Sequence, residues 1–399
     1  MKGQLRLSDV FILNAFMTDT EYRQSIDIII YLCSCAINKI EIDKNKLANI
    51  NIDHLYQSAR KHMLSSMIGQ ILRCAGMSSD DFNKAIALSE RKIIILDDEY
   101  KKVASEFESS QIWYMPIKGY ILKDFYPGFA MREMADVDVL IDSYRAEDAK
   151  TIMENLGYQV KSFGEKNDDD YIKKPVSNFE LHRHLFYELE EKELFDYYKD
   201  VKERLLVKDE NNQYGYHFRP EDFYIYLIAH EYKHFNMGGT GLRSLVDTYI
   251  FLKRFKLDMK YVSEELNKLE IGDYEENNRS LANKLFTGTP LSDDEQKMFD
   301  YIISSGTFGT FEHRVDNKVK QAGGKNIYLL KRFLGPIKND DPYSISYRKR
   351  FSTFYKYPIL LPFLPIYRLF DAIKNRPNNI KKEIKAIRKA GTKKKDENF

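Results

Sequence analysis

Amid long stretches of helical periodicity, one segment, ADVDVLID at residues 135–142, opens by alternating apolar residues with aspartates from Ala135 to Val139. A period of two belongs to a β-strand, whose side chains point to opposite faces in turn. The pattern therefore predicts a strand with Val137, Val139 and Ile141 on one buried face and Asp136 and Asp138 together on the other. Up to about residue 90 the chain reads differently. SIDIIIYLCSCAINKI and HLYQSARKHMLSSMIGQILRCAG repeat apolar residues at three and four, and SSDD after Gly76 has the form of a helix start. KIIILDDEYKKVASEFESSQI follows as a long amphipathic run.

Around the alternating segment, IWYMPIKG, YQVKSF and NFELHRHLF have the character of short strands, and RAEDAKTIMENLGY reads as a helix ending at Gly157. Helices return with PEDFYIYLIAHEYKHF, where Pro220 stands in the first turn. The expected architecture is α+β. It comprises a helical segment over residues 1–92, a small α/β core over 93–205, a helical domain over 206–335 that completes a cleft, and a basic, aromatic helical tail over 336–399. For that tail, docking on the body is the plain expectation, and a peripheral membrane or nucleic-acid contact the alternative.

Hydrophobic residues at 43% and charged residues at 31% describe a globular chain with enough length to bury a large core. The net charge of +2 means that any basic surface is local. Cys33, Cys35 and Cys74 are too few for a disulfide framework and are expected as core residues in a reducing cytosol. The N-terminus lacks the apolar region and cleavage site of a signal peptide, and no apolar run reaches membrane-spanning length, so a cytoplasmic location is expected.

Two carboxylates on one strand face repel each other, and a divalent cation relieves that repulsion. A third carboxylate on a neighbouring strand would complete a site for displacement at phosphorus, and Glu180, sharing strand parity with His182 and His184, is the best placed by sequence. Lys118 and Gly119 end the preceding strand, where an ammonium and backbone N–H groups can meet phosphate. Arg132, four residues before Asp136, can offer a forked phosphate contact.

PIKGYILKDFYPGFAMREMADVDVLID resembles the signature of the uncharacterised nucleotidyltransferase family, a branch of the DNA polymerase β-like superfamily. The matching residues are Ile117-Lys118-Gly119, Leu122, Tyr126-Pro127, Arg132, Asp136 and Asp138, followed by Glu180-Leu181-His182. Further on, His230, Lys233, His234, Leu242, Arg243 and Asp247 fall on the family's later landmarks. The chain departs from the wider superfamily in having Gly119-Tyr120 where Gly-Ser is usual. The resemblance implies a polymerase β-like core in which Asp136, Asp138 and Glu180 are catalytic and hold Mg2+ or Mn2+. It also implies that Lys118, Gly119, Arg132 and Lys233 meet the phosphates of a nucleoside triphosphate, ATP being the expected one. His182, His230, His234, Arg243 and Asp247 would line the cleft, and the acceptor is left open.

A second pattern competes. HEYKH, from His230 to His234, has the His-Glu-x-x-His spacing of zinc hydrolases, with Glu231 as the base. No further ligand stands in a recognisable signature, and a lysine between the histidines sits awkwardly beside a cation. A zinc hydrolase and a catalytically silent module that binds a nucleotide or partner remain the two alternatives to a nucleotidyltransferase.

Overall fold

In the computed structural model, which describes residues 17–335, 348 and 350–390, four helices come first: α1 (Asp19–Asn38), α2 (Ile52–Lys61), α3 (Ser65–Cys74) and α4 (Asp80–Ser109). Three of their starts are marked chemically. Thr18 and Glu21 form a capping box on α1, Asn51 accepts from two N–H groups of α2, and Ser79 accepts from Phe82 of α4. Each satisfies donors that a helix's first turn leaves without intrahelical partners. SSDD thus opens α4, but the helix runs for 30 residues, so the boundary expected at residue 92 falls inside it. Its first part packs against α1–α3 through Phe82, whereas Ile93, Leu96, Val103 and Phe107 lie in the core of the sheet. One continuous rod joins the two regions.

The sheet holds β1 (Tyr114–Pro116), β2 (Val137–Ile141), β3 (Gln159–Ser162), β4 (Asp168–Lys173) and β5 (Ser177–His182) in the order β1-β2-β5-β4-β3. β2 and β5 run parallel and the other neighbours antiparallel. A short α5 (Gly119–Leu122) follows β1, and α6 (Ala146–Asn155) begins the crossover from β2. Gly157, at φ +85°, ends that helix as the sequence indicated. β2 is buried on both faces: Val137, Val139 and Ile141 enter the core with α4 and α6, and Leu140 joins Ile117 and Tyr226 on the other side. The single buried face expected from the alternation is corrected because a helix covers the second face.

After α7 (Lys192–Tyr198), α8 (Val201–Arg204) and the hairpin of β6 (Leu206–Lys208) with β7 (Tyr216–Phe218), that covering helix is α9 (Pro220–Met237). Residues 222–229 of α9 are all buried, the mark of a helix enclosed on every side. α10 (Leu242–Arg254), α11 (Met259–Lys268), α12 (Gly272–Thr287) and α13 (Asp293–Ser305) follow. Leu242, Leu245, Leu281, Phe286 and Ile302 share one core with Ile26, Ile29, Leu55 and Ile68, so the first and later helices stabilise each other.

The described tail contains α14 (Phe311–Gln321), α15 (Lys325–Leu334), α16 (Ser352–Lys356), α17 (Leu364–Asn375) and α18 (Pro377–Lys389). α14 docks on the body, where Tyr301 stacks on His313 and Asn317 Nδ2 donates to Asn236 O at 2.9 Å. Val315, Val319, Tyr328 and Ala386 make a small core among α14, α15 and α18. Among the described residues, no helix is long and apolar enough to cross a membrane. Cys33 and Cys35 are buried, but Cys74 is exposed, since α3 ends there beyond the turn that packs inward. The boundary expected at residue 336 and the terminal run from 391 lie outside the described residues.

Candidate functional site

The parallel pairing of β2 and β5 sets Asp138 opposite Glu180, and the period of two brings His182 to the same side. Ligand atoms of Asp138, Glu180 and His182 lie within 4.8 Å of one another. Asp138 Oδ1 accepts from Lys118 Nζ at 2.6 Å and stands 2.9 Å from His182 Nε2. Burial opposes the charge of Asp138, but the Lys118 ammonium and His182 outweigh it and hold the carboxyl well below its usual range. Asp136, just before the strand, is pushed up to about 6 by burial and by the charge of Asp138. Glu180 is pushed up to about 8 by burial, Asp138 and Asp136. His182 Nδ1 is buried with no hydrogen-bond partner.

β4 adds two carboxylates that the sequence reading missed. Asp170 lies opposite Glu180 and Asp168 opposite His182, so Asp168, Asp170 and Glu180 form a second close group. The signal was present in NDDDY, where alternation puts the first and third aspartates on one face. His184, expected to share the strand parity of Glu180, lies beyond the end of β5 and packs edge-on against Phe195. The strand ends too early to hold it in the site.

Arg132 is also placed differently from expectation. Its Nε and Nη2 each donate to Asp247 at 2.8 Å, and Asp247 further accepts from the Tyr126 hydroxyl at 2.7 Å. All three residues are buried. The fork expected for phosphate is therefore committed to Asp247, 115 residues away in sequence. The same guanidinium crosses Gly119, where an added Cβ would stand 2.4 Å from Arg132 Nη1. Only glycine allows that approach. Arg243 Nη1 donates to Glu133 O at 3.0 Å, bracing the same loop from α10.

On α9, His230 and His234 share a face with their Nε2 atoms 3.2 Å apart, and Lys233 Nζ pairs with Glu191 at 3.2 Å. Burial and the neighbouring charge of Lys233 lower the His234 imidazole to about 4. Glu231 points away from them: Asn278 Nδ2 donates to its Oε2 at 3.2 Å, with Thr248 Oγ1 at 3.5 Å. A zinc hydrolase needs that carboxylate beside the metal-bound water, and here the helix turns it into the core. Among the described residues, neither close group of metal-ligating side chains includes His230 or His234.

Two cavities flank the carboxylates. One of about 650 Å³ lies over β3–β5 and is lined by Asp136, Asp170 and Glu180 together with Lys161, Gln159 and Asn178. The other, about 360 Å³, reaches Asp168 and is lined by Lys166, Lys233, His234, Phe308 and Arg314.

A family model described as uncharacterised nucleotidyltransferase matches residues 48–287. The chain belongs to this family. No curated protein and no solved structure matches it. The matched span takes in the sheet, α9, α10 and α12, and with them the carboxylates and the Arg132–Asp247–Tyr126 clamp. Phe308 and Arg314, which also line the smaller cavity, lie beyond it.

Proposed function

We propose that the chain transfers a nucleoside monophosphate from a nucleoside triphosphate, with ATP the expected donor, to an acceptor, releasing pyrophosphate with Mg2+ or Mn2+ as the metal. The observation that carries this reading is the convergence of Asp138, Glu180 and His182 in a member of a nucleotidyltransferase family. The oxygen-rich donor set suits a hard divalent cation. With Asp136, Asp138 and Glu180 all ionised, the Lys118 ammonium offsets one of three charges, and the raised Asp136 and Glu180 carboxyls register the remaining deficit. Bound there, the ion would polarise the triphosphate and offset charge growing on the phosphoryl oxygens.

The smaller cavity suits the nucleotide. Lys166, Lys233 and Arg314 supply charge for phosphates, and the exposed ring of Phe308 offers a face for the base. The larger cavity suits the acceptor, because Asp136 and Glu180 both open onto it. As the acceptor oxygen bonds to the α-phosphorus, the bond from that phosphorus to the pyrophosphate oxygen breaks, and the acceptor's proton passes to Glu180. Lys118 keeps Asp138 ionised from the turn before Gly119. Arg132 positions that turn through Gly119 and does not bind phosphate itself. His182 orients Asp138, while Arg243 and Asp247 brace the loop.

The test is calorimetric titration of each nucleoside triphosphate with Mg2+ into the wild type and into Asp136→Asn/Asp138→Asn, with metal content assayed on the same preparations. Metal-dependent binding lost in the double variant supports the site, and pyrophosphate release with an acceptor library then finds the substrate. Binding without turnover against every acceptor would favour a silent nucleotide-binding module. Stoichiometric zinc with no nucleotide binding would overturn the proposal.

A further inference from the structure

The last described helices present a face that the reaction above does not use. Ile366, Phe370 and Ile373 on α17 are 49%, 68% and 52% exposed, and their spacing sets them along one side of the helix. Ile359 and Phe363, in the turn that leads into α17, extend the same spacing and are 82% and 61% exposed. α15 lies beside α17, tied by Arg368 Nη1 donating to Phe333 O at 3.2 Å. On α15, Ile327, Leu330 and Leu334 are also exposed. Scattered apolar side chains are ordinary on a protein surface, but an exposed row repeated from residue 359 to residue 373 points to a surface that associates with something.

Charge selects the partner. Residues 351–390 hold nine lysines and arginines against Asp371 and Glu383, while the whole chain carries only +2, so the remainder is net acidic. A second copy meeting this face with its own basic face would bring like charge against like charge. A nucleic-acid strand would meet the basic residues but leave the apolar row in water. An anionic lipid surface satisfies both features, because an in-plane amphipathic helix buries its apolar face at the acyl boundary while basic side chains reach the headgroups. We propose that α17, with α15 beside it, seats this protein on an anionic membrane surface as a peripheral, non-spanning contact. This inference stands apart from the transferase reading, since none of its residues lines either cavity.

The experiment is co-sedimentation of the full chain with phosphatidylcholine vesicles, with and without phosphatidylglycerol, at low and high salt. The expected result is salt-sensitive binding to the phosphatidylglycerol vesicles alone. Ile366→Asp/Phe370→Asp should abolish it. Lys374→Gln/Lys385→Gln should weaken it by about 25-fold, at about fivefold per charge. Unchanged circular dichroism would show that the variants fold. Failure to pellet with either vesicle, or equal pelleting with both, would overturn the proposal. So would a dimer in light scattering that Ile366→Asp/Phe370→Asp dissolves, or salt-sensitive RNA binding in place of lipid binding.

Discussion

Asp247→Ala removes the carboxylate to which the Arg132 fork donates and leaves a guanidinium in a site where Arg132 is 7% exposed. The Tyr126 hydroxyl loses its acceptor in the same step. Breaking one side of a buried ion pair costs about 3–5 kcal/mol, because the surviving charge stays buried without compensation. That is a large share of the roughly 5–15 kcal/mol by which domains are stable. Arg132→Met/Asp247→Leu removes both charges and should recover most of the loss, so the double variant should be more stable than either single one. Urea unfolding followed by circular dichroism measures it. Asp247→Asn separates positioning from direct phosphate contact. It loosens the clamp and frees the fork, so a positioning role predicts weaker nucleotide binding and a phosphate role predicts tighter binding. A cost below about 1 kcal/mol for Asp247→Ala, or tighter nucleotide binding by Asp247→Asn, would refute the clamp.

Gly119→Ala should cost about 1–3 kcal/mol and depress nucleotide binding, because its Cβ would meet Arg132 Nη1 at 2.4 Å; thermal melts and titration check both. Glu231→Gln should leave stability and transfer nearly unchanged. Burial and Asp247 hold this carboxyl well above its ordinary value, so glutamine resembles its neutral form, whereas a zinc hydrolase would lose its base and all activity. His62 makes the fold acid-sensitive. Leu242 N–H donates to His62 Nδ1 at 3.1 Å, and burial, then the Lys61 charge, lower the imidazole to about 3. The unfolded chain takes up the proton first as pH falls below about 6.5, so this contribution is complete above that value and is lost on the way down to about 3. By pH 5 the loss is about 2 kcal/mol. The difference between wild type and His62→Gln in urea midpoints at pH 7 and pH 5 isolates it from carboxylates that titrate in the opposite sense.

β2 was legible because aspartates alternate with valines at its start, and Glu180 because its strand keeps the same parity. β4 was not, although it carries two of the site's carboxylates. Its inward residue Asp169 is 1% exposed and breaks the apolar alternation, and it is tolerated there because Arg183 grips it at 2.9 and 3.1 Å. A charge that is buried because of a distant partner looks, in sequence, like a charge in a loop. The same blindness hid Arg132. Arginine before an aspartate pair reads as a phosphate ligand until Asp247 arrives from another helix. HEYKH shows the converse: helical spacing pairs His230 with His234, but the direction of Glu231 is decided by Asn278 and Thr248.

Lys118 concentrates these conflicts in one residue. Its backbone sits at φ +53° and ψ −126°, a conformation that favours glycine and costs other residues of order 1–3 kcal/mol. Glycine there would relieve the strain, yet it would leave Asp138 buried with only His182 for company. The contact of Lys118 Nζ with Asp138 at 2.6 Å offsets that cost, and it ties the turn before Gly119 to the strand that carries the carboxylates. Arg132 holds the other side of the same turn from above Gly119, and Asp247 holds Arg132. The turn is thus gripped from two directions by buried charges whose partners come from β2 and α10. Local preference, which favours glycine at Lys118, yields to a tertiary arrangement that fixes one ammonium beside one carboxylate. A fold that needed only stability would have little reason to keep that arrangement; the proposed transferase, which must present an ionised Asp138 to a phosphate-bearing substrate, would.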